Sequence, residues 1–197
     1  MIDSYAIFSM THLLWKLAIL GALLAASMLM AGCTAVSPKY QATVDNVRAL
    51  QAVSAGTVSV GQFTAKDVGL NYLTIRGSAY TSPYNDSYAE YLKEALRSEL
   101  ESAGKLGSKA DVVITGQLLK NTVSASIGTG TATIAVQFMV IRNSSIIFDK
   151  VLSVDTQWES SFIGAIAIPV AQQNYVDTVK QVLGKLFSDK DFQRSIQ

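Results

Sequence analysis

Cysteine occurs once in this 197-residue sequence, at Cys33, and histidine once, at His12. A lone cysteine cannot close an internal disulfide, so the fold must be held by its core. A single histidine near the amino terminus leaves little for zinc sites built from Cys and His, or for nucleophiles that need a histidine relay. Charge is scarce and balanced: 16 Lys and Arg against 15 Asp and Glu, a formal net charge of +1. No basic tract occurs, which argues against nucleic acid as a partner. Phosphate loops, dinucleotide fingerprints and nucleophile elbows are missing as well, so no cofactor and no metal are expected. Gly128-Thr129-Gly130 is a glycine-rich candidate, but it lacks the lysine and the strand-to-helix setting that phosphate binding needs. It reads as a flexible hairpin tip.

What the chain does have is one long apolar run. Leu17 to Met30 carries no charge, follows Lys16 and ends in small residues, the layout of an export signal. Its last residues, Met30-Ala31-Gly32-Cys33, resemble a bacterial lipobox, with Met30 where Leu is usual. The resemblance implies cleavage between Gly32 and Cys33 and acylation of the Cys33 thiol, chemistry that suits the strongest common nucleophile. An uncleaved membrane anchor is the alternative. As a helix this run spans roughly 21 Å, against a hydrocarbon core of about 30 Å. Met1 to Thr11 holds Asp3 and no Lys or Arg, and translation from Met10 would give a more compact leader. Mean hydropathy, +0.28, is raised by this segment. After cleavage no histidine remains, and histidine-based catalysis is excluded with it.

The expected organisation is a signal peptide over 1–32, a tether over 33–56 with a short helix within Tyr40 to Ala52, and one domain over 57–197. A chain of this size buries roughly two thirds of its unfolded surface, enough for a self-sufficient core. The short helix would place Val44, Val47 and Leu50 on one side. Thr57 to Phe63 alternates, with Val58, Val60 and Gln62 on one face, and reads as the first core strand. Leu70 to Arg76 is a second strand and Gly77 to Tyr84 a loop. Ser87 and Glu90 have capping-box spacing. Behind them Tyr88, Tyr91, Leu92, Ala95, Leu96, Leu100 and Ala103 form a helical stripe that Gly104 ends. Asp111 to Leu119, Thr131 to Ile141 and Ile146 to Trp158 are strands, the last two a hairpin around Asn143-Ser144. Pro169 suits a first helical turn, followed by a stripe through Tyr175, Val176, Val179, Leu183, Leu186 and Phe187. The sum is an α+β fold, a largely antiparallel sheet with two main helices on one face.

Three places offer function. Tyr80, Tyr84 and Tyr88, with Tyr72 and Tyr91 nearby, form either a partner-binding surface or the cover of the helix–sheet seam. Asp149, Asp155 and Glu159 beside Trp158 supply carboxylates and an aromatic wall of the kind glycan hydrolysis uses. Thr122 to Ile134 alternates small polar and apolar residues, as a membrane-inserting hairpin would. About nine residues per tilted strand are needed to cross a bilayer, and the apolar side here is mostly Ala and Val.

The lipobox, the pattern Tyr88-x-x-Tyr91-Leu92-x-Glu94-Ala95-Leu96-x-x-Glu99-Leu100-x-x-Ala103-Gly104, and Ala110-Asp111-Val112-Val113-Ile114-x-Gly116 together resemble small bacterial envelope lipoproteins. The types it resembles are the YajG-like, transport-auxiliary and LptE-like lipoproteins. The resemblance implies a compact, non-enzymatic domain tied to a membrane through Cys33, with an envelope protein or a lipid as its partner. Its expected role is accessory, in envelope assembly, maintenance or lipid transport. Thr34, where enterobacterial relatives retained in the inner membrane carry Asp, implies the periplasmic face of the outer membrane, with the inner membrane as alternative. Competing expectations are a periplasmic glycan hydrolase and a ring-forming lipoprotein with membrane-inserting hairpins.

Overall fold

Alternation of apolar residues builds the larger of two sheets in this computed structural model, which describes residues 34–54, 56–108 and 110–197. Strands β2 (Ser59–Ala65), β5 (Val112–Ala125), β6 (Gly128–Arg142) and β7 (Ser145–Ser160) lie in that order. The β5–β6 and β6–β7 pairs are antiparallel and β2 runs parallel to β5. Ile114, Leu118, Ile134, Val136, Phe138, Val140, Phe148 and Leu152 fill its inner face, while Thr133, Gln137, Asp149, Val151 and Asp155 lie on the outer one. Asn143 and Ser144 take positive φ in the β6–β7 turn, the primed geometry that matches strand twist. The fold is therefore α+β with one open sheet face, as the patterning predicts.

Two helices cover the inner face. The first, which becomes α2 once a shorter one is counted, is Tyr88–Ser102; Ser87 caps it by accepting from the Glu90 amide. The second, α3 (Gly164–Ser188), packs across β5, β6 and β7 with Tyr175, Val179, Leu183, Leu186 and Phe187 buried. A final short helix, α4 (Lys190–Ser195), closes the chain. Here one expectation fails: α3 begins five residues before Pro169, which sits inside the helix. The amide that proline lacks would have bonded the Ala165 carbonyl. Ala165 is exposed, so water can take over.

Residues 33–56, expected to be a tether with a short helix within Tyr40 to Ala52, do carry that helix, but their described part is packed into the fold. Thr34–Val36 is strand β1, parallel to β4 (Ser78–Thr81), which pairs antiparallel with β3 (Leu73–Ile75) in a second, three-stranded sheet. Val44–Gln51 is α1, packed on α2 and α3. Leu50 is buried within it but Val44 is exposed, and Asn46, a polar residue, takes the buried place. Gly77 to Tyr84, read as a loop, contains β4. In β2 a bulge between Val60 and Phe63 turns Phe63 inward and leaves Gln62 outward, which reverses the face expected from simple alternation.

Candidate functional site

Tyr80 and Tyr88 are not a contact surface: both are fully buried, Tyr91 with them, and Tyr84 is half-buried. Their rings meet Tyr175 of α3 edge-on, at 5.7 Å for Tyr80 and 5.3 Å for Tyr88. A buried phenol needs a partner for its hydroxyl, and each finds one. Tyr88 donates to the Tyr80 carbonyl at 2.9 Å and Tyr175 to Asn121 Oδ1 at 2.8 Å. The others reach the amino-terminal segment: Tyr80 exchanges a bond with Ser37 Oγ at 2.9 Å, and Tyr91 donates to the Pro38 carbonyl at 2.9 Å. Desolvation raises the phenol pKa of Tyr80, Tyr88 and Tyr91, so all stay neutral donors at physiological pH. The tyrosines cover the helix–sheet seam and staple residues 37–40 to it.

Glu99 completes that staple. Its carboxyl is fully buried, accepting from the Tyr40 hydroxyl at 2.6 Å, Asn46 Nδ2 at 2.9 Å and the Thr43 amide at 3.2 Å. Asn46 also donates to the Lys180 carbonyl of α3 at 3.1 Å. Desolvation, then the Glu99 hydrogen bond, drives the Tyr40 pKa far upward. The sequence carries the signal for this residue, since Glu99 stands on the apolar stripe between Leu96 and Leu100. A carboxyl on a buried face requires donors, and the segment ahead of α1 supplies them together with Asn46 of α1 itself.

The carboxylates proposed for glycan chemistry stay apart. Asp155 and Glu159 lie four residues apart along β7, about 13 Å at strand rise, beyond the roughly 5–9.5 Å that paired glycosidase carboxylates keep. Both are exposed, and Asp155 accepts from Thr133 Oγ1 at 2.6 Å. Trp158 packs against the core over Gly130, on the opposite side of the strand, and offers them no wall. Asp149 accepts from Gln137 at 2.7 Å. The Gly128-Thr129-Gly130 tip divides likewise: Gly128 turns with φ of 85°, while Gly130 is the floor on which the indole lies. Nor does Thr122 to Ile134 project as a free hairpin, because Ala125, Ala132 and Ile134 are buried in the domain.

A charged groove lies where β7 begins, lined by Arg142, Asp149, Lys150, Asp191 and Arg194 among others. Each of these charged side chains has a partner. Lys150 bridges Asp189 at 2.9 Å and also meets Asp191, which pairs with Arg194. Arg142 donates to the Ser195 and Gln197 carbonyls. Among the described residues no group of three or more His, Cys, Asp or Glu could hold a metal.

At the opposite end the chain enters the fold. Cys33 and Gly32 lie outside the described residues, but Thr34, the next residue, is already paired with Ala79. Beside that pair is the β3–β4 turn, Arg76-Gly77, both at positive φ. Arg76 reaches from it to three main-chain carbonyls: Ala125 at 2.7 Å, Phe162 at 2.8 Å, and Ser161. One side chain thus ties together the β3–β4 turn, the β5–β6 tip and the β7–α3 junction. Sequence reasoning passed over Arg76; an Arg-Gly pair between two short β-rich runs is the available signal.

No family model matches the chain, and no curated protein sequence is significantly similar to it. Its fold is similar to the crystal structure of a Xanthomonas campestris protein of the family DUF330, at 14% identity and a TM-score of 0.55, over 78% of this chain and 91% of that one. Weaker matches include a candidate lipoprotein from Caulobacter crescentus (13% identity, 76% and 93% covered, TM-score 0.41). Another is a minor lipoprotein from Acinetobacter baumannii (10% identity, 71% and 95% covered, TM-score 0.41). At these identities the likeness to the Xanthomonas protein is one of fold.

Proposed function

We propose that this chain is a lipid-anchored bacterial envelope protein, acylated on Cys33, whose domain works by binding rather than by catalysis. The observation that carries the proposal is the lipobox-like motif that closes the apolar run. The motif Met30-Ala31-Gly32-Cys33 puts its cysteine directly before Thr34, which is already paired with Ala79 in the fold. A peptidase cutting before Cys33 would release the domain whole, with no spare chain ahead of it. Among the described residues no helix is long and apolar enough to cross a membrane. Several acyl chains on one cysteine make anchoring effectively permanent, since each buried CH₂ contributes about 0.8 kcal/mol.

The partner is an envelope protein or a lipid, met at high effective concentration in the membrane plane. The role is accessory, in envelope assembly, maintenance or lipid transport, and the address is the periplasmic face of the outer membrane. Growth with labelled palmitate tests the anchor: the wild type is expected to take up label and lose its leader. Cys33→Ser should accumulate as an unlabelled precursor. Equal labelling and processing of the two would refute the proposal. Asp155→Asn and Glu159→Gln should leave complementation of a deletion strain intact; loss of function in either would reinstate a hydrolase.

A further inference from the structure

Exposed apolar side chains cluster where Arg76 joins the three turns. Ile127, at the β5–β6 tip, is 76% exposed and Phe162, just before α3, 74%. Ile166 and Val170 follow on the first turns of α3 and line one groove with both of them. A second groove runs from Ile127 to Arg76 along the other side of the tip. Of the residues lining these two grooves only Arg76 and Glu159 are charged. The sequence explains why: no Asp, Glu, Lys or Arg occurs from Asn121 to Ile141, or from Ser160 to Val176. An exposed apolar cluster in so uncharged a setting marks a surface meant to be covered.

What covers it follows from where the chain enters. Thr34 pairs with Ala79, three residues from Arg76, whose guanidinium holds the Phe162 carbonyl. Cys33 is one residue, about 3.8 Å, before Thr34. Three strand residues and one arginine side chain, on the order of 15 Å in all, therefore separate the anchoring residue from the apolar cluster. Residues 34–43 are built into the fold, so the anchoring residue joins the domain without a tether.

We infer that the Ile127–Phe162–Ile166 end of the domain is a membrane-apposed surface that inserts into the interfacial layer of the bilayer holding Cys33. The inference rests on the anchor proposed above. Ile127 and Phe162 enter between headgroups, as interfacial apolar residues do. The Arg76 guanidinium, which has no carboxylate partner among the described residues, meets anionic headgroups at the rim. The charged groove at the start of β7 then points into the aqueous space.

The full chain, processed in cells and reconstituted in phosphatidylethanolamine–phosphatidylglycerol vesicles, allows a direct test. With Cys33 acylated, Phe162→Cys carries the sole reactive thiol and takes one environment-sensitive fluorophore; Ile127→Cys serves as a second site should that variant misfold, and Ile147→Cys as the distant control. Quenching by nitroxide-bearing lipid is expected to be several-fold stronger at positions 162 and 127 than at 147. One label per chain with equal quenching at all three positions overturns the orientation alone. Two labels per chain expose an unmodified Cys33 thiol and remove the anchor, and the inference with it. A concentration-dependent shift at position 162 without lipid assigns the surface to a second copy of the chain and overturns the inference.

Discussion

Glu99 shows how a single side chain fixes the start of the fold. Removing the carboxyl would strand the Tyr40 hydroxyl and the Asn46 amide in a dry interior, where each unsatisfied group costs about 1–3 kcal/mol. Glu99→Ala should therefore lower the unfolding free energy by about 3 kcal/mol in urea titration. Glu99→Gln, which keeps an acceptor, should cost less. Hydrogen exchange should localise the effect, with amides of α1 losing protection before those of β6. Equal loss across both elements would mean that Glu99 supports the whole core rather than this staple. Residues of this kind are hard to weigh from sequence, because a glutamate on an apolar stripe looks like an interruption until its donors are known. The tyrosines mislead for a similar reason: Tyr80 and Tyr88 carry polar tips in a polar-looking stretch, and their burial depends on Ser37, which bonds Tyr80, and on Tyr175, whose ring both meet, each remote in sequence.

Elements whose stability comes from repetition were legible. The β6–β7 hairpin announces itself through Ile134, Val136, Phe138 and Val140 and through Asn143-Ser144, and α2 through Ser87 and its stripe. Elements held by a few specific contacts were legible only in part: the short helix α1 was expected, its buried Asn46 was not, and neither was β1. β1 has three residues and no amphipathic pattern; it exists because β4 offers an edge. α1 buries Asn46 against α3 in place of an apolar side chain, and Gly184 makes room, since a Cβ there would lie 2.8 Å from Asn46 Oδ1. At the other end of α3, Asp189 caps α4 by accepting from the Asp191 and Phe192 amides at 2.8 and 3.1 Å. Burial pushes the Asp189 pKa up, but the Lys150 hydrogen bond and these two amides outweigh it and hold it below the ordinary 3.8. A carboxylate whose folded pKa is depressed stabilises fully above its unfolded value, and that stability is lost as pH falls through the folded one. Acidification below 3.8 should loosen α4 against β7, and Asp189→Asn should show a smaller fall in Tm between about pH 5 and pH 2. An identical fall in both proteins would show that the cap contributes nothing to acid stability.

At the scale of the molecule the chain is polarised along its strands. β7 spans 16 residues, about 50 Å at strand rise, and joins a charged groove to an end whose grooves are uncharged apart from Arg76 and Glu159. The first strand starts at the apolar end. Without a tether, a lipid on Cys33 would set orientation as well as address, and the outer sheet face and the charged groove would be what the domain shows to a partner. The place of the anchoring residue in this polarity is not visible while residues 33–56 are read as a tether with a short helix. The most direct measurement is the mass of the amino-terminal peptide of the protein extracted from cell envelopes. The account predicts a peptide beginning at Cys33 and carrying a thioether-linked diacylglyceryl group with an amide-linked acyl chain. A peptide that still contains Met30-Ala31-Gly32, or one with an unmodified thiol at position 33, would contradict it.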